Sequence, residues 1–287
     1  MNRDRPRDSA EVNAPRARVP RRLRGLRVQI ILWTVLPLTL VLIGVGFTGA
    51  FSHEQAMRDL VAERDQALAT VSAGQVQDLL DERADALKAL AAEQAFHHPD
   101  SEAQQALLAE AGDLDGLFAD GVVLVDESGV VLATGSVPAE WQQEGHLADL
   151  VRAVMVRQDV SLVPLSGSSL GENVYLMGVP VPDETSTTYG MLVAPVSLPN
   201  AELEPLLSQA QVGEHGAAYL VDGAGQALAR APAERARESL VGHTGLDAAL
   251  QDDGAGATLC HAPDGERMTM AYAPVDFAGL GWRVLVE

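Results

Sequence analysis

The chain has 287 residues, 47% of them hydrophobic, and its 40 acidic and 20 basic side chains give a net charge of −20. Such acidity argues against nucleic acid as a partner, because too little positive charge is left to neutralise phosphate. One cysteine, Cys260, excludes an internal disulfide, so the fold must hold by packing.

The first 27 residues form a basic arm, with nine arginines against Asp4, Asp8 and Glu11. Val28 to Phe51 follows, 24 residues without a charge, long enough as a helix to cross a hydrocarbon layer of about 30 Å. Basic flanks stay in the cytoplasm, which places residues 52–287 outside it. That outer part carries −26, the −20 of the whole chain less the +6 of the arm. A signal peptide is the competing reading, with Thr48-Gly49-Ala50 as its small residues. The length of the polar arm and of the apolar run favours an uncleaved anchor.

From Ser52 to Phe96 the apolar residues Met57, Leu60, Val61, Leu68, Val71, Val76, Leu79, Leu80, Leu87 and Leu90 recur at helical spacings. The pattern predicts one helix of roughly 60 Å or more, serving as a scaffold or as the seam of a homodimer. His97-His98-Pro99-Asp100 ends it and reads as a solvated terminus rather than a metal site.

Two copies of one module come next. Leu124-Val125-Asp126-Glu127-Ser128-Gly129-Val130-Val131-Leu132-Ala133 returns as Leu220-Val221-Asp222-Gly223-Ala224-Gly225-Gln226-Ala227-Leu228-Ala229, 96 positions later, each stretch reading as a β-hairpin. Met177 to Val181 resembles Ala271 to Val275 at a shift of 94, and Gly190 to Val193 resembles Gly281 to Val284 at 91. In the first copy a helix carrying Leu147, Leu150, Val151 and Val154 precedes strands near 159–165, 172–182 and 189–198. Glu202 to Gln211 is a linker helix, and the second copy has helical stretches near 232–251 and strands near 255–261, 266–275 and 280–286. Two strands, a helix and three antiparallel strands make a PAS-like α+β unit with a pocket between sheet and helix.

Few residues offer chemistry. Cys260 and His261 are neighbours on a strand and point to opposite faces, which is poor geometry for a shared metal. Gly167-Ser168-Ser169-Leu170-Gly171 fits the nucleophile elbow of hydrolases, with His215 and His243 downstream, but a strand rather than a helix follows it, so it reads as a hairpin turn. Asp113-x-Asp115 and Asp252-Asp253-Gly254 read as loop and cap residues. Candidate pocket residues are Trp141, Tyr175, Met177 and Tyr189; Arg152 and Arg157 are candidate anion anchors, with Arg152 off the apolar face. No catalytic residue, metal site or cofactor is expected.

The order of anchor, long helix and Leu-Val-Asp-x-x-Gly-x-x-Leu-Ala hairpin resembles the double Cache (dCache) sensor domain over roughly 52–287. So does the closing run of Asp264-Gly265-Glu266-Arg267, Ala271-Tyr272-Ala273-Pro274-Val275 and Gly281-Trp282-Arg283-Val284-Leu285-Val286-Glu287. The resemblance implies the extracytoplasmic input region of a bacterial transmembrane receptor: a sensor histidine kinase first, otherwise a chemoreceptor or a diguanylate cyclase. It also implies a small-molecule ligand in the membrane-distal module. Amino-acid-binding members carry Tyr-x-x-x-x-Arg-x-Trp-Tyr and an Asp in the last strand of that module. This chain lacks the first and has Pro195 in place of the second, and proline cannot accept a hydrogen bond from an ammonium group through its side chain. The expected organisation is α+β: a cytoplasmic arm (1–27), a transmembrane helix (28–51), a helical stalk (52–112), a distal Cache module (113–200) and a proximal one (201–287), with antiparallel sheets. A single-span adaptor is the competing function. Glu287 falls where a return helix through the membrane is expected.

Overall fold

The computed structural model describes residues 25–97, 101–111, 117–118, 121–135, 144–165, 173–182, 188–211, 216–232, 240, 242–261, 265 and 267–287. The chain divides into two units, Met1–Arg58 and Asp59–Glu287. Helix α1 spans Leu26–Ala91. In the first unit its described side chains are all exposed, and its composition and length suit a membrane crossing. Thr34 and Thr39 return their hydroxyls to the carbonyls of Ile30 and Val35, so these polar groups are satisfied within the helix.

In the second unit α1 buries Ala69, Ala73, Val76, Leu80, Ala84, Leu87 and Ala91, a stripe at spacings of three and four whose alanines let it lie close to its neighbours. The helix stops at Ala91, five residues short of the expected Phe96. A 3-10 turn over Gln94–His97 and a separate helix α2 (Ser101–Ala111) replace the end of a continuous stalk. Phe96, within that turn, is fully buried.

Strands β1 (Val123–Val125), β2 (Val131–Thr134), β3 (Ser161–Pro164), β4 (Val174–Pro182) and β5 (Thr188–Ser197), with helix α3 (Glu144–Arg157), form the first module. Helix α4 (Asn200–Ser208) links it to β6 (Ala218–Val221), β7 (Ala227–Ala231), helix α5 (Leu246–Gln251), β8 (Gly256–His261), β9 (Arg267–Pro274) and β10 (Arg283–Val286). The sheets have the same order, β2-β1-β5-β4-β3 and β7-β6-β10-β9-β8, antiparallel throughout.

The duplication extends to single hydrogen bonds. Asp126 N–H donates to Val130 O at 2.9 Å and Asp222 N–H to Gln226 O at 3.0 Å. Each carboxylate caps its own turn, and Gly129 and Gly225 take the left-handed angles the turn demands (φ 84° and 78°). Burial works to raise the Asp126 carboxyl, but the Ser128 hydroxyl and the N–H groups of Val130, Ser128 and Gly129 together hold it below the usual range.

The expected register of the closing strands changes as well. The ladders pair Val125 with Met191 and Val221 with Arg283, so the closing strands correspond at a shift of 92, not 91. Of the helical stretches expected near 232–251, Leu246–Gln251 is helical, and 233–239 and 241 lie outside the described residues. Gly242 and Gly245 have φ of 94° and 95°, and Thr244 bridges to His261, which keeps these residues out of that helix.

Each sheet has two faces with different partners. One face of both sheets joins α1 in a shared core that includes Leu124, Met177, Leu192, Leu220, Ala273 and Val284. The outer faces are separate: Val123, Val125, Leu176, Met191 and Val193 pack under Leu147, Leu150 and Val154 of α3, while Tyr219, Val221, Tyr272 and Leu285 pack with Leu246 and Ala249 of α5.

Candidate ligand-binding site

Alternation along β4 decides which residues can face α3. Val174 and Leu176 belong to the α3 cluster, whereas Tyr175, Met177, Val179 and Val181 belong to the shared core. Tyr175 and Met177 therefore lie on the sheet face opposite α3, away from a pocket between sheet and helix. Trp141 and the Gly167–Gly171 turn with Ser169 fall outside the described residues, as does His215. Tyr189 lies in β5, with its side chain outside what is described.

The α3 face of the first module is small and apolar at its centre. Gly178 sits opposite Ser161, and a Cβ there would meet Leu150 and Val154 at 3.1 Å. Ser161 Oγ is buried without a hydrogen-bond partner among the described residues. Pro195 is buried opposite Leu176 on this same side, at a point of β5 that β1 no longer pairs, so its missing N–H breaks no ladder bond.

Tyr175 instead meets the second module. Its ring lies edge-on to Trp282, with centroids 5.0 Å apart at 64°. Burial pushes its phenol up to about 12, and the Asp222 carboxylate adds to the rise. Beside it, the Asn173 amide donates to Leu228 O. Arg157, a candidate anion anchor, reaches the turn before β10: a Cβ on Gly279 would lie 3.0 Å from its Nη1. Arg152, the other, is exposed and pairs with Asp149 at 2.9 Å.

A groove of about 350 Å³ opens where β4 runs past the end of β3, lined by Lys88, Ala91, Ala92, Gln158, Asp159, Pro180 and Pro182. Lys88 Nζ crosses it to Asp159 Oδ1 at 3.0 Å. The Lys88 bond, then the Val160 N–H, holds the Asp159 carboxyl below its ordinary value. Nothing in sequence joins residues 88 and 159; only the fold brings them together.

In the second module Gly256 lies under the Tyr272 ring, and Tyr272 OH donates to Asp252 Oδ2 at 2.6 Å. That bond is the main reason the Asp252 carboxyl is lowered and the Tyr272 phenol raised. Asp252 also accepts from Gly254 N–H, a loop role as expected. Cys260 is buried while His261 is exposed, on opposite faces as alternation requires; burial, then the Glu287 charge, pushes the thiol up. His243 is buried with Nδ1 2.8 Å from Leu240 O.

A family model described as "Cache domain" matches residues 53–287. No curated protein matches the sequence. Among solved structures, the chain is similar to an extracellular ligand binding receptor from Desulfohalobium retbaense, at 12% identity and TM-score 0.57, covering 76% of this chain and 39% of that one. It is similar to the ligand-binding domain of Pseudomonas fluorescens chemoreceptor CtaA in complex with L-isoleucine, at 18% identity and TM-score 0.57, covering 82% and 95%. A third likeness is the extracellular domain assigned to histidine kinase rpHK1S-Z16, at 16% identity and TM-score 0.55, covering 81% and 94%. At these identities the likeness is one of fold. With the family match across nearly all of the region after the apolar helix, it follows that the chain belongs to the Cache domain family, as a double Cache (dCache) sensor domain.

Proposed function

We propose that this chain is the ligand-sensing input region of a bacterial membrane receptor, with the arm in the cytoplasm, residues 28–51 in the bilayer and 52–287 outside. The family match over 53–287, directly after an apolar helix with arginines on one side, carries the reading. The output is proposed to be a histidine kinase, supported by the likeness to rpHK1S-Z16; the likeness to CtaA supports a chemoreceptor as the second reading. A kinase core after Glu287 in the reading frame favours the first, and a methyl-accepting helical hairpin the second.

The ligand is proposed to bind the distal module, with Trp141 and Tyr189 as contacts and with Tyr175 and Met177 assigned to the shared core. Pro195 on the α3 side offers no side-chain acceptor to an amine. A small carboxylate or uncharged metabolite fits better than the L-isoleucine bound by CtaA. In a thermal-shift screen of the detergent-solubilised chain, amino acids should leave the melting temperature unmoved, while a hit from the other classes should raise it by mass action. Trp141→Ala should abolish that rise. A tight amino-acid hit, or a hit indifferent to Trp141→Ala, refutes the assignment.

A homodimer along α1 is also proposed. Leu80 and Leu87 lie in the core, so the seam narrows to the exposed Leu60 and Val71, about half a turn round the helix from the buried stripe, and Val61, about a third of a turn from it. Two anchors in one bilayer raise effective concentration, so a weak seam suffices. Single cysteines at 60, 61 and 71 should crosslink to their copies and react with an impermeant thiol reagent from outside, while at the exposed positions 63 and 70 they should label but crosslink several-fold less. A flat crosslinking profile leaves α1 as scaffold, and labelling from the cytoplasmic side alone reverses the orientation.

A further inference from the structure

The place that Met191 fills in the first module belongs to Arg283 in the second. Met191 lies between Val125 and Pro180, and Arg283 between Val221 and Pro274, so the two occupy one position of the duplicated sheet. Both are on the outer face: Met191 is fully buried under α3, and Arg283 is two residues from Leu285, which packs with the α5 cluster. Arg283 is 7% exposed.

A guanidinium offers five N–H donors and a permanent charge, and burying one without a partner is costly. Among the described residues the Arg283 guanidinium makes one hydrogen bond, from Nη1 to Gly254 O at 3.4 Å, which is long for this type. Among the described residues no carboxylate lies within ion-pair distance of it. Asp252, whose charge it feels, is held by Tyr272 OH at 2.6 Å and by Gly254 N–H at 3.1 Å. The fold thus maintains a buried fork of donors beside an exposed loop, 252–254, and against the apolar sides of Val221 and Pro274.

We infer that the proximal module holds a second ligand site, anchored by the Arg283 guanidinium and entered past the 252–254 loop, which takes a small monocarboxylate. A carboxylate matches the guanidinium fork with two parallel N–H···O bonds. Val221 and Pro274 suit a short apolar tail. The fixed negative charge of Asp252 favours a singly charged ligand over phosphate or a dicarboxylate.

The test is a thermal-shift titration of the full chain in detergent, at constant ionic strength, with propionate, succinate, inorganic phosphate and a chloride control. Propionate should raise the melting temperature saturably, by roughly 5 °C at a hundredfold excess over Kd; succinate and phosphate should shift it several-fold less. Arg283→Met installs the side chain that the first module carries at the equivalent position 191. It should remove the propionate shift without lowering the melting temperature in propionate-free buffer, because it replaces an unpaired buried charge with an apolar side chain. Arg283→Lys keeps the charge but loses the fork and should weaken propionate at least tenfold. Trp141→Ala should leave the propionate shift intact. No saturable shift in the native chain, equal shifts from phosphate, or a shift that survives Arg283→Met and disappears in Trp141→Ala each overturns the site. Should Arg283→Met fail to fold, undiminished propionate affinity in Arg283→Lys overturns it as well.

Discussion

Replacing Trp282 with alanine is expected to remove about 4 kcal/mol of unfolding free energy, the usual cost of deleting a buried tryptophan. Trp282 is 3% exposed, belongs to the shared core and is the ring against which Tyr175 rests. Its loss opens the junction between the modules, so urea unfolding that is expected to be a single step in the native chain should become two steps when followed by probes in each module. The pH profile carries an independent mark. The Tyr175 phenol is raised to about 12 in the fold, above the value near 10 of a free tyrosine. Neutral Tyr175 therefore contributes stability that is complete below about pH 10 and is lost as pH rises through 12. In Trp282→Ala the ring gains water, the phenol should titrate closer to 10, and the alkaline loss should flatten. An unchanged midpoint with an unchanged tyrosinate absorbance titration would show that Trp282 carries no such contact.

Gly190→Ala should cost about 3 kcal/mol, through crowding rather than backbone strain. A Cβ at 190 would lie 2.5 Å from Val125 O, an atom fixed in the β1–β5 ladder and unable to swing aside. Gly178→Ala is the informative contrast. Its Cβ would meet side-chain atoms of Leu150 and Val154 at 3.1 Å, which can shift by a few tenths of an ångström, so a cost of about 1 kcal/mol is expected. Chemical denaturation of both variants checks the ranking; equal costs would mean that β1 gives way as easily as α3.

The duplicated hairpins are legible in the sequence because Asp126 and Gly129, like Asp222 and Gly225, do a job that few other residues can do. Similarity alone misaligns the closing strands by one because Gly190 and Gly281 look alike. The ladder instead matches Gly190 with Trp282, and glycine identity says nothing about register. That slip hides the equivalence of Met191 with Arg283, the comparison that singles out a buried charge. Tyr175 and Met177 stand out in the sequence for being aromatic and polarisable, properties shared by pocket and core. The sheet face is set by strand parity, which is readable only once it is known that Val174 and Leu176 belong to α3. The end of α1 escapes the sequence pattern because the apolar period runs past Ala91 to Phe96, where tertiary burial takes the chain out of the helix.

One contact bears on how the chain reaches this state. Gln66 donates to Ala255 O across 189 residues, and the alanine stripe of α1 shares its core with Val284 and Val286 on the last strand. The earliest part of the sensor to be synthesised is thus completed by the latest. Closure over such separations makes folding slow, since the chain entropy of the loop must be overcome before the contacts reward it. Until β10 arrives, the core that α1 shares with both sheets lacks Val284 and Val286. Alanines at 69, 73, 84 and 91, among Val76, Leu80 and Leu87, limit the apolar area exposed in the meantime, at the expense of some apolar area in the finished core.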